Sequence, residues 1–365
     1  MASPSLTKIA YHTLQQGKTL AGLAHKELST KLMEVFAPEA DTGKFPIDQD
    51  LIKEVKRSTE RLARIDWQDA EAGIYPKSLL FEAPWLEWAK KYPLVWLDMP
   101  KTWERRKKNK TREIPRNVKE EDYPNYYLQN FHHQTDGYLS THSAEIYDLQ
   151  VEILFNGTAD SMRRRVLAPL KRGLKKYIND HTKKVKVLDI ATGTGRTLQQ
   201  IQSSLPEVEL YGIDLSGSYL KQASKYLSSR SGDLVQLTRG NAEDMPYSSS
   251  SFQALTCVFL FHELPRDARQ NVLNECFRLL EPGGTLIIAD SIQLKDSPKF
   301  TAIMENFHKI FHEPYYRDYI IDDIDLRFKE SGFSSITSET HFMTKVWKAI
   351  KPELIESKKK CTQIQ

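Results

Sequence analysis

The second half of the chain alternates short apolar segments with helical segments at a nearly regular spacing. The apolar segments contain many β-branched residues and span 185–190, 208–213, 234–238, 254–261 and 285–289. Helical periodicity lies between them, over 196–204, 218–228 and 266–280. Because strand–helix–strand crossovers are right-handed and cover both faces of a sheet, this alternation predicts an α/β fold with a parallel sheet. Segments 336–342 and 344–350 follow each other almost directly and predict an antiparallel hairpin at one edge.

The first 180 residues have a helical and aromatic pattern instead. Apolar spacing predicts helices over 20–36, 47–64, 144–155 and 161–177. Pro84, Pro93 and Pro100 interrupt a tryptophan-rich stretch, which predicts short elements there rather than one long helix. We therefore expect the chain to have three regions. These are a mainly helical N-terminal region and lid over 1–140, an α/β domain over 141–352 and a polar tail over 353–365.

Composition and charge exclude several classes of protein. Lysine and arginine number 52 against 48 acidic residues, and a net charge of +4 is too close to balance to predict a nucleic-acid or membrane partner. The longest apolar run, 254–261, is far shorter than the roughly 20 residues of a membrane-spanning helix. Cys257, Cys276 and Cys361 lack CxxC spacing, which predicts neither a zinc–cysteine site nor a disulfide framework. Since no targeting pattern fits 1–23, we expect a cytoplasmic protein, in a bacterial-type cytosol or in the plastid stroma of a eukaryote.

The segment Val187–Arg196 is an apolar strand that runs into a Gly-x-Gly turn and opens a helix. Gly193 and Gly195 let the backbone turn tightly and approach a ligand at the helix N-terminus. A dinucleotide fingerprint would have a third glycine where Leu198 stands, and Asp189 beside the turn would repel a pyrophosphate. A carboxylate there suits a ligand with an amino group, so S-adenosylmethionine is favoured over a dinucleotide.

Three further motifs follow in order along the chain. Asp214 ends the next strand, 19 residues after Gly195, where an acid can accept hydrogen bonds from both ribose hydroxyls. Asn241 and Ala242 follow the third strand, where a polar side chain and a backbone amide can contact an adenine edge. The segment 281–284 makes a tight Glu-Pro-Gly-Gly turn into the fifth strand. Four motifs in this order, each at a strand end, make a coincidence improbable.

These residues resemble the class I S-adenosylmethionine-dependent methyltransferases, and specifically the branch related to the ubiquinone and menaquinone biosynthesis C-methyltransferases. The resemblance covers about 149–351. It implies a Rossmann-like seven-stranded sheet of order 3-2-1-4-5-7-6, with strand 7 antiparallel and helices on both faces. It also implies that Thr194, Asp214, Asn241 and Ala242 line the cofactor. The full candidate cofactor-binding set is Asp189, Ala191, Gly193, Thr194, Gly195, Asp214, Leu215, Asn241, Ala242 and Phe259.

Two positions depart from that family. Ala191 replaces the commoner glycine, which a small side chain should tolerate. The sequence Phe-His-Glu-Leu at 261–264 differs from the quinone methyltransferases after strand 4, so a quinone acceptor does not follow from the resemblance. His262 lies at the strand end where ligands bind in parallel sheets. We predict that it is a general base that faces the transferable methyl group, and the equally favoured alternative is that its ring only forms a wall of the pocket. We interpret Glu263 as a helix-start carboxylate.

Two aromatic segments, 123–140 and 307–319, are candidates for covering an acceptor, and the first could equally be an aromatic plug that joins the N-terminal part to the core. The candidate acceptor contacts are Tyr127, Phe131, Tyr138 and Tyr315. His132 and His133 are adjacent and lack a suitably spaced carboxylate, so we expect no metal.

The predicted function is methyl transfer from S-adenosylmethionine to a small or moderately apolar acceptor, including aromatic and prenyl-like molecules. The segment 101–119 has nine basic residues against two acids, and we interpret it as an exposed loop, with a polyanion contact as the alternative. Two other functions stay open, an RNA or protein methyltransferase that uses this loop and a non-catalytic S-adenosylmethionine-binding module. Nucleic acid is disfavoured because no Asn-Pro-Pro-Tyr-type tetrapeptide follows strand 4. Nothing in the sequence indicates the oligomeric state.

Overall fold

The computed structural model describes residues 5–40, 48–180, 182–229, 232 and 234–353. Within these residues, seven strands form one mixed sheet. The strands are β1 (Lys186–Ile190), β2 (Glu209–Asp214), β3 (Gln236–Arg239), β4 (Phe252–Val258), β5 (Leu280–Ser291), β6 (Ser334–His341) and β7 (Thr344–Ile350). Their order is 3-2-1-4-5-7-6, with β1 to β5 parallel and β7 antiparallel to both neighbours. This confirms the predicted Rossmann-like sheet and its terminal hairpin.

The first two of the helices that precede the sheet are longer than the apolar spacing predicted. The helices before the sheet are α1 (Leu6–Phe36), α2 (Gln49–Glu71), α3 (Trp85–Lys107), α4 (Thr141–Leu154), α5 (Ala159–Arg163) and α6 (Leu167–Ile178). Capping explains two of the starts, since Ser5 accepts a hydrogen bond from Lys8 N and Asp48 accepts one from Leu51 N. The helix predicted over 161–177 is instead divided between α5 and α6 by a 3₁₀ turn.

The prediction of short elements around the tryptophans is wrong, because α3 contains both Pro93 and Pro100. Each proline removes one helical hydrogen bond and costs about 3 kcal/mol. The helix continues through them because its Trp88 and Val95 are buried against Ile146 of α4 and its neighbours. Each such apolar side chain contributes about 1.5–3 kcal/mol when it is buried, and the whole face offsets the cost of the prolines.

The segment 101–119 is only partly an exposed loop, because its first third belongs to α3. Arg105 is buried, and its Nε donates a hydrogen bond to the backbone oxygen of His133 at 2.9 Å. Lys110 pairs with Glu113 at 2.7 Å. Several of its basic residues therefore have partners within the protein, which leaves a smaller basic surface than the sequence predicted.

The sheet is covered by helices on both faces, as predicted. The helices of the second half are α7 (Arg196–Ser204), α8 (Gly217–Ser228), α9 (Arg266–Leu279), α10 (Thr301–Ile310), α11 (Tyr316–Tyr319) and α12 (Ile324–Glu330). Leu188 of β1 packs in one apolar cluster with Val272 of α9, and Val187 packs in the other with Leu198 of α7. Because consecutive strand residues both meet a core, the central strands are continuous apolar segments.

A buried polar network connects the N-terminal helices to the segment before the sheet. Asp66 of α2 is fully buried and forms ion pairs with Arg164 and Arg165, each with an N–O distance of 2.5 Å. The hydroxyls of Tyr11 and Tyr75 also donate to this carboxylate, at 2.5 and 2.6 Å. Two arginines and two tyrosines from distant parts of the chain therefore share one carboxylate. The domain boundary at 140/141 stays a prediction.

Some predictions concern residues outside the described part of the chain. Cys257 and Cys276 are buried and free, whereas Cys361 and the tail from residue 354 onward lie outside it. Ile47, the predicted first residue of the second helix, also lies outside it. None of the helices in the described residues is long and apolar enough to cross a bilayer.

Candidate cofactor and acceptor site

The turn after β1 is built from residues with left-handed backbone conformations. Ala191, Gly193 and Gly195 have φ values of +53°, +56° and +82°. A Cβ atom at Gly195 would also lie 3.2 Å from Leu227, so tight packing adds to the preference for glycine that the left-handed backbone creates. Ala191 tolerates the turn, as expected, but a non-glycine residue in this conformation costs about 1–2 kcal/mol. This backbone strain lies at Ala191, the first residue after β1.

Two carboxylates, the buried Asp189 and the half-buried Asp214, lie beside this turn. Asp214 accepts hydrogen bonds from Gly193 N and Ser216 N, both at 2.8 Å, which fixes the turn against the end of β2. Burial raises the pKa of Asp214 to about 6, even though these amide donors favour its ionised form. Asp189 accepts a hydrogen bond from the Thr256 hydroxyl at 2.6 Å, and burial raises the pKa of Asp189 to about 7.

One pocket opens at the carboxyl ends of β1, β2 and β4. Most of the predicted cofactor residues line it, namely Ala191, Gly193, Thr194, Asp214, Leu215, Asn241, Ala242 and Phe259. Asp189 and Gly195 do not line it. Phe259 has a φ of +59°, a second non-glycine residue with strained backbone at this pocket. The cofactor set predicted from the sequence is thus brought together at one edge of the sheet.

Tyrosines form the opposite wall of the pocket. Tyr127 and Tyr138 line it, together with Tyr126 and Tyr147, which the sequence analysis did not select as acceptor contacts. The other two predicted acceptor residues are one layer further away. Phe131 is buried and stacks on Tyr138 with a centroid distance of 5.4 Å. Tyr315 meets Tyr126 edge to face at 6.3 Å. Both therefore support the wall rather than form its surface.

His262 and Glu263 have positions different from those expected. His262 is buried, does not line the pocket and contacts Asp290 through Nδ1 at 2.7 Å. Burial alone would lower the pKa of His262, but the Asp290 carboxylate raises it to about 9. Glu263 lines the pocket and accepts a hydrogen bond from the Tyr138 hydroxyl at 2.5 Å, in a 3₁₀ turn before α9. Interpreting Glu263 as a helix-start carboxylate was therefore wrong.

Glu263 belongs to a cluster of three ionisable residues. His132, Glu263 and Glu313 each place one ligand atom within 4.8 Å of the others. No sequence pattern predicts this cluster, because its three members come from separate segments of the chain that only the fold brings together. The reason for expecting no metal, the lack of a spaced carboxylate near His132, does not hold, because the fold supplies two carboxylates from distant segments.

Comparisons with known proteins address the central part of the chain. Residues 187–284 match the protein family described as "Methyltransferase domain". A demethylmenaquinone methyltransferase of Thermotoga maritima is 32% identical over 165 residues, which are 45% of this chain and 65% of that protein. An O-methyltransferase of Aspergillus nomiae is 29% identical over 153 residues, which are 41% of this chain and 65% of that protein. The chain thus covers slightly less than two thirds of each of these curated relatives.

Among solved structures, human N-acetylserotonin methyltransferase in complex with S-adenosylmethionine aligns with a TM-score of 0.45 and 13% identity, over 58% of this chain and 57% of that chain. The family match and the sheet order together identify the α/β unit as a class I S-adenosylmethionine-dependent methyltransferase domain, with S-adenosylmethionine as its cofactor. Its homologues include the quinone C-methyltransferases that the motifs resemble.

Proposed function

We propose that the chain transfers a methyl group from S-adenosylmethionine to a small or moderately apolar acceptor, with aromatic and prenyl-like molecules as the main candidates. The observation that carries this proposal is the continuity of one pocket. The turn after β1 and Asp214 form one wall, and Tyr126, Tyr127 and Tyr138 form the other. Aromatic walls favour a ring or an isoprenoid chain over a sugar or a carboxylate.

The residues of the pocket fit S-adenosylmethionine. A side chain at Gly193 would contact only Tyr219, at 4.0 Å, so the backbone of the turn leaves room for a ligand. Asp214 presents a carboxylate suited to ribose hydroxyls, and Asn241 stands at the end of β3, where an adenine edge can be bound. The cofactor supplies an electrophilic methyl group when bound. The contribution of the chain is to align the acceptor with it and to exclude water.

The alternative functions receive less support. An RNA or protein methyltransferase would use the basic segment 101–119, but Arg105 is buried and Lys110 is paired within the protein. A non-catalytic module would not need an aromatic wall facing the cofactor residues. Both alternatives make predictions that differ from methyl transfer to a small acceptor.

A turnover assay separates these functions. We expect the purified protein to release S-adenosylhomocysteine when it is given S-adenosylmethionine and a panel of phenols, hydroquinones and prenylated hydroquinones. Bulk transfer RNA should produce no release above background. Activity with RNA alone would contradict the proposal, and cofactor binding without turnover on any ring acceptor would favour the non-catalytic module.

The general-base role of His262 stays a prediction, and a glutamine substitution tests it. His262→Gln retains a hydrogen-bond donor for Asp290 but removes the ring nitrogen that could take up a proton. If His262 is the base, turnover should fall by about a hundredfold or more while cofactor affinity stays nearly unchanged. Turnover within a few-fold of the unmodified protein would exclude the base role and leave the histidine as a support for the pocket.

A further inference from the structure

Glu313 is a buried carboxylate without a hydrogen-bond partner. It lies in the connection between α10 and α11, its side chain has no exposed surface, and neither of its oxygens accepts a hydrogen bond from the described residues. Burial raises the pKa of Glu313 well above its usual value, because the ionised form of a buried carboxylate is costly unless an ion partner or a metal compensates its charge. The ion-pair contacts of Glu313 and Glu263 within the described part of the chain involve only histidines.

His132 is held close to Glu313 by the backbone. Its amide donates a hydrogen bond to the backbone oxygen of His312 at 3.1 Å, and its φ of +55° is strained for a non-glycine residue. This conformation brings His132 Nδ1 to 3.0 Å from Glu313 Oε1, whereas its Nε2 lies 3.8 Å from Glu263 Oε1. A shared cation would take only one nitrogen of this ring. One ring nitrogen and one oxygen of each carboxylate lie within 4.8 Å of one another, so a small inward movement brings them to the roughly 3–4 Å that separates ligands at about 2.1 Å from a metal.

A histidine held by a carboxylate, an arrangement common around metal ions, lies beside the cluster. His262 places Nε2 3.9 Å from Glu263 Oε1 while its Nδ1 contacts Asp290, and carboxylates orient metal-binding histidines in this way. Phe307 and Phe311 meet the ring of His132 edge to face, at 6.4 and 6.0 Å. These rings limit the access of water to His132.

We propose that His132, Glu263 and Glu313 bind a divalent transition-metal ion, with His262 as a candidate fourth ligand, and that this ion binds an oxygen of the acceptor. One imidazole with two carboxylates suits Zn²⁺ or Mn²⁺, and an imidazole ligand disfavours Mg²⁺. The acceptor part rests on the proposed function, because Glu263 is the residue that connects the cluster to the pocket.

The chemistry of this site can be written as a balanced step. A hydroxyl bound to the metal loses its proton to solvent, because the cation stabilises the anion. The oxygen lone pair then forms a bond to the methyl carbon, and the electron pair of the broken carbon–sulfur bond goes to sulfur. The products are a methyl ether and S-adenosylhomocysteine. No oxidant or reductant is needed, and the acceptor would be methylated on oxygen.

Metal binding is measured directly on the full chain, by calorimetry with Zn²⁺ and Mn²⁺ and by the visible spectrum after Co²⁺ addition. We expect one equivalent to bind to the unmodified protein, and the affinity to fall about a hundredfold or more in Glu313→Gln and in His132→Gln. Glu305→Gln and His142→Gln are matched controls, since Glu305 is an exposed residue of α10 and His142 lies in α4 away from the cluster. Both controls should bind the metal like the unmodified protein.

Equal metal binding by the unmodified protein, Glu313→Gln and His132→Gln would overturn the site, as would the absence of binding in all of them. Thermal melts of each variant identify a folding defect, and the use of two different variants keeps the result decisive. Affinity for S-adenosylmethionine is measured in parallel, so that failure of the proposed function is seen separately from failure of the metal site. Tight metal binding with identical turnover after chelation would overturn the acceptor role alone.

Discussion

Replacing Asp66 by alanine is expected to lower the free energy of unfolding by about 3–5 kcal/mol. The substitution leaves Arg164 and Arg165 as buried charges without their main partner, and it removes an acceptor from Tyr11 and Tyr75. A loss of this size is a large share of the stability of a typical domain. Urea denaturation followed by circular dichroism measures it.

Asp69→Ala is the matched control for this prediction. Asp69 pairs with the same Arg165, at 2.6 Å, but its side chain is 24% exposed. Its loss should therefore cost only about 1 kcal/mol or less. If the two variants lose the same free energy of unfolding, any negative charge near Arg165 is sufficient. That result would contradict the view that the buried carboxylate of Asp66 connects the N-terminal helices to the segment before the sheet.

Replacing Asp214 by alanine is expected to weaken S-adenosylmethionine binding at least tenfold. The ionised carboxylate would lose its hydrogen bonds to the ribose hydroxyls, and such charge-assisted bonds are worth about 1.5–3 kcal/mol each. The turn would also lose the acceptor that holds Gly193 N. Titration calorimetry measures the affinity, and Asp244→Ala, an exposed acid after β3, should bind like the unmodified protein.

The pH dependence of this affinity provides an internal check. Burial raises the pKa values of Asp214 and Asp189 to about 6 and about 7, so both become protonated as the pH falls below neutrality. Since the cofactor favours the ionised forms, its affinity should decrease as the pH falls from ~8 to ~5, by up to about tenfold per pH unit for each group. Asp214→Asn should remove part of this slope. A slope that is unchanged in the variant would show that Asp214 does not titrate in the predicted range.

The sheet order and the cofactor turn could be predicted because their signals are local. Gly193 and Gly195 stand where the backbone must be left-handed, and Asp214 stands at a strand end whose position follows from the alternation of strands and helices. Each of these features depends on a few consecutive residues and on the rules of parallel sheets.

The other features depend on contacts between distant segments. The prolines of α3 indicate a break, and only the packing of Trp88 and Val95 on α4 shows why the helix continues. Likewise, Glu313 has no motif around it, and its meeting with His132 and Glu263 is produced by three separate turns. Periodicity cannot predict such a meeting. His262 was predicted to face the pocket directly after strand 4, whereas β4 ends at Val258 and it is Glu263 that lines the pocket, because a 3₁₀ turn over Phe261–Glu263 sets the direction of both side chains.

The Asp66 network also constrains the order in which the protein can mature during synthesis. Asp66 leaves the ribosome 98 residues before Arg164 and 99 before Arg165. At a few to about 20 residues per second, it therefore waits on the order of 5–20 seconds for its cationic partners. During that interval a buried carboxylate would be unpaired, so α1 and α2 cannot close over it and their apolar faces stay accessible. We therefore expect α1 and α2 to reach their final packing only after the second arginine has emerged.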